Sequence, residues 1–213
     1  MAKKPKLIVM VSSTVYGIEE LLDRVYSILT NFGYEVWMSH KGTVPVLSNK
    51  TAFDNCLDAV KNCDLFLGII TTHYGSGKED KKTKSITHQE LLKAIELNKP
   101  RWVLAHDHVI FARTLLSNIG YKSSKKRSEL DLHKNMVIDD LRVIDMYEAA
   151  ILHDTSQLKE RKGNWVQKFA TPDDAQLYAS AQFYRYQEVE RFLEEHLKDA
   201  KAVRKQVSKE VKP

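Results

Sequence analysis

Cysteine is almost missing from this 213-residue chain: Cys56 and Cys63 are the two it has. They flank the end of a predicted helix with no histidine at metal-ligand spacing, so buried reduced thiols are expected rather than a disulfide, a redox pair or a zinc knuckle. Glycine-rich phosphate loops are missing too. No Gly-x-Gly-x-x-Gly follows a strand and no Gly-x-x-x-x-Gly-Lys-Ser/Thr occurs, which argues against ordinary dinucleotide oxidoreductases and P-loop enzymes. The absence of Gly-x-Ser-x-Gly argues against a hydrolase nucleophile elbow. No apolar run approaches the roughly 20 residues of a bilayer span, and Met1-Ala-Lys-Lys-Pro5 opens no cleavable leader. A soluble, cytoplasmic protein without membrane partners is expected.

The net charge of +5 raises the question of nucleic acid. The basic residues gather at Lys3–Lys6, Lys81–Lys84, Lys122–Arg127 and Lys198–Lys212. These are loops and ends without the interleaved aromatics that stack bases. Solvated basic loops are the expectation, not a nucleic-acid surface.

What is present is an alternation of apolar strands and amphipathic helices. Lys6-Leu-Ile-Val-Met-Val11, stopped by Ser12-Ser13-Thr14, reads as a strand covered on both faces. Ile18, Leu21, Leu22, Val25, Leu29 and Phe32 repeat at helical spacing, with Gly33 placed for a left-handed cap. Tyr34–Met38, Leu65–Ile70 and Arg101–Ala105 read as further strands, and Ala52–Lys61 as a helix turning Phe53, Cys56, Leu57 and Val60 inward. This pattern implies a doubly wound parallel α/β sheet of order 2-1-3-4, with a fifth strand left open. The switch point then lies between strands one and three, so Ser12–Tyr16 and Thr71–Gly75 should face each other across the ligand crevice.

The second half reads as helical. Val109–Ile119 is one helix, carrying Phe111, Leu115 and Leu116. Lys122–Ser128 reads as a loop. Val137, Leu141, Ile144, Ala149 and Leu152 suggest another helix, broken by polar Gln157–Asn164. Thr171-Pro172-Asp173-Asp174 is a helix start by cap, first-turn proline and acidic residues. That helix is expected to run past residue 200, presenting Leu177, Ala181, Phe192, Leu193, Leu197 and Ala200 to the domain or to a second copy.

The candidate chemistry centres on Glu90. It lies in Ser85-Ile-Thr-His-Gln-Glu90, on the helix between the third and fourth strands, where a carboxylate reaches the crevice. A carboxylate half-buried there suits stabilisation of, or attack on, an oxocarbenium-like sugar carbon as an N-glycosidic bond breaks. Ser85 and Thr87, within a turn of Glu90, are placed to hold a ribose. Ser12, Ser13, Thr14 and Tyr16 after the first strand are placed for phosphate or ribose. Thr71, Tyr74 and Gly75 follow the third strand, with Tyr74 as a base-stacking candidate and Gly75 permitting close backbone approach. His106-Asp107-His108 alternates metal-ligand types but would need further ligands from elsewhere; no metal site and no cofactor are expected. Asp139, Asp140, Asp145 and Glu148 read as a solvated or arginine-paired face.

Val9-Met-Val-Ser-Ser-Thr-Val-Tyr16, Asp64–Ile70 with His73-Tyr74-Gly75, Ser85-Ile-Thr87-x-x-Glu90-x-x-x-Ala94 and Lys99-Pro100 together resemble a bacterial domain of unknown function of the DUF4062 type. That domain is grouped with the TIR and nucleoside 2-deoxyribosyltransferase folds, and the resemblance covers residues 6–105. It implies a TIR-like, flavodoxin-like α/β domain, and the change in pattern near residues 120–130 divides the chain into that domain over 1–120 and a helical extension over 121–213 that packs on it or mediates self-association. It further implies a nucleotide or nucleoside ligand, N-glycosidase action on NAD or a nucleoside in bacterial stress or phage defence, and Glu90 as nucleophile. The transferase motif usually has a Gly or Asp-Gly before its Thr and a small residue two after its Glu, where this chain has Ser85-Ile86 and Leu92. The competing expectation is a homo-oligomeric signalling or assembly module without catalysis.

Overall fold

In the computed structural model, which describes residues 6–77, 83–130, 137–155 and 157–196 with side chains to residue 186, five parallel strands form one sheet. They are β1 (Ile8–Ser13), β2 (Glu35–Met38), β3 (Leu65–Ile70), β4 (Arg101–His106) and β5 (Val166–Phe169), in the order β2-β1-β3-β4-β5. The helices are α1 (Glu19–Asn31), α2 (Ala52–Asn62), α3 (Ile86–Glu96), α4 (Asp107–Asn118), a single turn α5 (Ser124–Arg127), α6 (Arg142–Ala150) and α7 (Pro172–His196). The order 2-1-3-4 read from the sequence is present, extended by β5.

β3 is central, and all six of its residues are buried. Its side chains alternate between two cores, as a strand's geometry requires. Leu65, Leu67 and Ile69 join Val9, Val11 and Leu104 beneath α1 and α7. Phe66 and Ile70 join Met10 and Val103 beneath α2, α3 and α6. Helix α1 buries Leu21, Leu22, Val25 and Leu29 as its spacing predicts. Each fully buried side chain of this size contributes roughly 1.5–3 kcal/mol relative to exposure.

Four sequence expectations change. The sheet crosses the boundary drawn at residue 120, because β5 lies beyond it and pairs with β4; residues 121–213 are therefore not helical throughout. Lys122–Ser128 contains α5 rather than only loop, and its Arg127 is buried against Asp145 and Glu148 at 2.6 Å each. Helix α7 turns Ala175, Ala179 and Phe183 inward and leaves Leu177 exposed, because small side chains let it lie close to α1. In α2 the buried positions are Asn55, Ala59 and Val60, while Phe53, Cys56 and Leu57 are half-buried. Asn55 turns inward because its amide bonds both N–H and C=O of Leu47, pinning the loop before the helix. The expected side chains Phe192 and Leu193, and positions Leu197 and Ala200, lie outside what is described. No helix among the described residues is long and apolar enough to cross a membrane.

Candidate active site

The carboxyl ends of β1 and β3 meet at the switch point, as the strand order requires. Ser13 pairs with Ile69 in register, and its hydroxyl donates to the Ile69 carbonyl at 3.1 Å. One residue on, the Thr14 and Thr71 hydroxyls lie 2.5 Å apart. Both reach the His73 carbonyl, Thr14 at 3.1 Å and Thr71 at 3.0 Å, while the His73 N–H donates back to Thr71 Oγ1. The facing of Ser12–Tyr16 and Thr71–Gly75 is thus built from hydroxyl bonds, which contribute about 1 kcal/mol each when buried and satisfied. Gly75 makes the contact tight: its φ is +88°, and a Cβ there would fall 2.4 Å from Thr14 Cγ2.

Glu90 sits beside this junction. Ser85 caps α3 by accepting the His88 N–H, and one turn of helix then aims Thr87 and Glu90 at the strands. Glu90 is only 6 % exposed. Ser12 Oγ donates to its Oε2 at 2.5 Å, and the Cys56 thiol of α2 also bonds it. Burial raises the carboxyl from its ordinary 4.5 to about 7, against the smaller lowering pull of the Ser12 and Cys56 bonds. The same burial, with the neighbouring carboxylate, pushes the Cys56 thiol up to about 12. Cys56 is therefore a thiol donor to Glu90 at neutral pH, not a nucleophile.

The other expected ligands divide by exposure. Ser12, Thr14, Thr71, Ser85 and Thr87 are buried at the junction, Ser13 is half-buried, and Tyr16 stands 71 % exposed at the rim. Tyr74 does not present its ring to the crevice. It is 0 % exposed, with its hydroxyl 2.7 Å from His88 Nδ1, its N–H donating to Asp139 and the Arg142 guanidinium 4.4 Å over its ring. Base stacking by Tyr74 is thus replaced by a structural role, because a phenol this close to a helix face finds its partner inside the protein. Burial drives His88 down to about 4, leaving a neutral imidazole to bond the phenol. The acidic face behaves as expected of an arginine-paired surface: Arg142 grips Asp140 and Arg127 bridges Asp145 and Glu148.

Sequence reasoning missed three participants. Cys56 was read as inward-facing, but its contact with Glu90 depends on how α2 meets α3. His88 and Arg142, the partners of Tyr74, carried no signal beyond their helical positions. Glu90 is 6 % exposed, so the carboxylate is enclosed in this conformation; a separate open groove between α2 and α3 is lined by Lys50, Asp54, Leu57, Gln89 and Lys93 among others. At the end of β4, His106, Asp107 and His108 bring their donor atoms within 4.8 Å of one another. A family model described as a domain of unknown function, DUF4062, matches residues 8–184. No curated protein matches the chain.

Proposed function

The chain belongs to the DUF4062 family, whose name carries no activity, and we propose from the site itself that it binds a nucleotide in the β1/β3 crevice and cleaves an N-glycosidic bond there. NAD or a nucleoside is the substrate class, as the sequence resemblance to TIR and deoxyribosyltransferase folds implies. The observation that carries this reading is Glu90: a carboxyl buried at the switch point, raised to about 7 and bonded by Ser12 and Cys56. Burying an ionisable group with so few partners costs stability, and perturbed carboxyls in crevices gather at functional sites.

In this reading the ionised Glu90 stabilises or attacks the anomeric carbon while the base departs with the bonding electrons, and water completes the hydrolysis. Ser12 holds the carboxylate in place. Ser13, Thr14, Thr71, Gly75, Ser85 and Thr87 surround the ribose and phosphate, and exposed Tyr16 takes the stacking role that buried Tyr74 cannot. With Glu90 6 % exposed and bonded by Cys56, substrate displaces the Cys56 thiol to reach the carboxylate. Incubation with NAD and a nucleoside panel, at low and high protein concentration, is expected to release free base that chromatography detects. Glu90→Gln should abolish the release; turnover that survives the substitution defeats the assignment.

A second reading has its own observation. Phe111, Leu115 and the C-cap Ile119 stand exposed in one stripe along and just past α4 at 67 %, 48 % and 60 %, at a spacing that stacks them on one helix face. Between Asp107 and Lys122 the one charged side chain is Arg113, and it is paired with Glu148. An uncharged apolar stripe is self-complementary, which favours a second copy of this chain as its partner in an assembly module.

A further inference from the structure

Consecutive residues rarely converge. Along a strand they point to opposite faces, and on a helix neighbours one and two apart do not face each other. His106, Asp107 and His108 escape both rules because β4 ends at His106 and α4 begins at Asp107. The extended backbone at His106, φ −60° and ψ 139°, turns the chain there. The two imidazole rings consequently lie 4.7 Å apart between centroids, and the carboxylate brings its oxygen to the same cluster. Asp107 Oδ1 is 3.0 Å from His106 Nδ1 and 4.0 Å from His108 Nε2.

Two details mark this cluster. Asp107 Oδ1 is buried and has no hydrogen-bond partner. His106 Nδ1 accepts the His108 backbone N–H at 3.2 Å, as the cap of α4, and the same ring nitrogen lies 3.0 Å from Asp107 Oδ1. Three donor atoms thus converge within 4.8 Å of one another at one chain turn, an arrangement that a cation bound between them would satisfy.

We propose that His106, Asp107 and His108 form a transition-metal site at the carboxyl end of the sheet, with Zn²⁺ or a similar borderline ion as its ligand class. Tetrahedral coordination at 2.0–2.1 Å sets donors about 3.3 Å apart. The 3.0 and 4.0 Å separations to Asp107 bracket that edge, and with all three donors within 4.8 Å rotation of the imidazoles closes the site. Two imidazoles and one carboxylate suit zinc, cobalt or nickel. They suit Mg²⁺ and Ca²⁺ less, which prefer oxygen, and Cu(I) less, which prefers sulfur. An ion on Nδ1 takes its lone pair from the long cap bond, leaving the rest of α4 intact. Three protein ligands leave a fourth position open, and the half-exposed His108 side chain places that position toward solvent. The sequence reading looked for further ligands elsewhere in the chain; the third is the aspartate between the two histidines.

The test uses untagged, chelator-stripped protein titrated with Co²⁺ and then with Zn²⁺. The expected result is one equivalent of Co²⁺ giving the intense visible absorption of a four-coordinate ion, displaced by equimolar Zn²⁺. Affinity should fall about tenfold or more in His108→Ala and in Asp107→Asn. His153→Ala, which removes another surface histidine beside an acid, should leave it unchanged. Circular dichroism checks that the variants fold; His108 is exposed enough that its loss is tolerated. Failure to bind one equivalent, or equal binding by wild type and His108→Ala, overturns the site.

Discussion

Glu90 sets stability against ionisation, and the direction can be worked out from its raised pKa. Unfolded, the carboxyl titrates near its ordinary 4.5; folded, near 7. Below 4.5 both states are protonated and the group is neutral toward folding. Between 4.5 and about 7 only the folded state keeps its proton, so stability declines as pH rises, and above that window the decline ends. The full loss is on the order of 3 kcal/mol. Glu90→Gln imitates the protonated form, so it should match wild type in urea denaturation at pH 4 and exceed it at pH 8. A difference that does not vary with pH would remove the case for a buried, raised carboxyl. Activity should run the other way, with kcat/KM climbing through pH 7 as the carboxylate forms. Glu90 and Thr87 were legible because their i, i+3 spacing at a helix start fixes one face. The burial of Tyr74 was not, because it depends on His88 of α3 and on Asp139 and Arg142 at the start of α6 arriving from separate segments.

At the level of elements, β5 and α7 complete a sheet that the first half of the chain begins. Phe183 of α7 is fully buried, its ring 4.9 Å from Trp102, and its carbonyl accepts the Tyr34 hydroxyl at 2.8 Å. Phe183→Ala should therefore cost about 3–5 kcal/mol, as for an internal core position. A midpoint shift in denaturation near zero would mean that α7 is a detachable appendage. Four strands were legible because burial on both faces leaves continuous apolar runs. Val166-Gln-Lys-Phe169 was not, since an edge strand with one fully buried residue looks like any polar segment. The start of α7 was legible down to its chemistry: Asp174 accepts the Ala170 and Thr171 N–H groups while Thr171 accepts the Asp174 N–H. Its buried face was not, because Ala175 and Ala179 carry a weak hydrophobic signal and Leu177 a strong one. Arg127 was hidden in the same way, one buried cation within a run of solvated ones.

For the molecule as a whole, the α4 stripe sets the question of assembly. If it pairs with a second copy, sedimentation should show a concentration-dependent dimer that Leu115→Asp abolishes without lowering thermal stability. A monomer at every concentration would leave the stripe without that role. The topology has a separate consequence, for the order in which the protein is made. Synthesis delivers β4, which ends at His106, well before β5, which begins at Val166. Until β5 leaves the ribosome, the outer edge of β4 offers unpaired backbone groups, and the layer of Leu104 and Trp102 lacks its α7 cover. A chain stalled or cut between α6 and β5 is thus an open-edged sheet with a bare apolar face, and aggregation with its own kind is the fate that geometry assigns it.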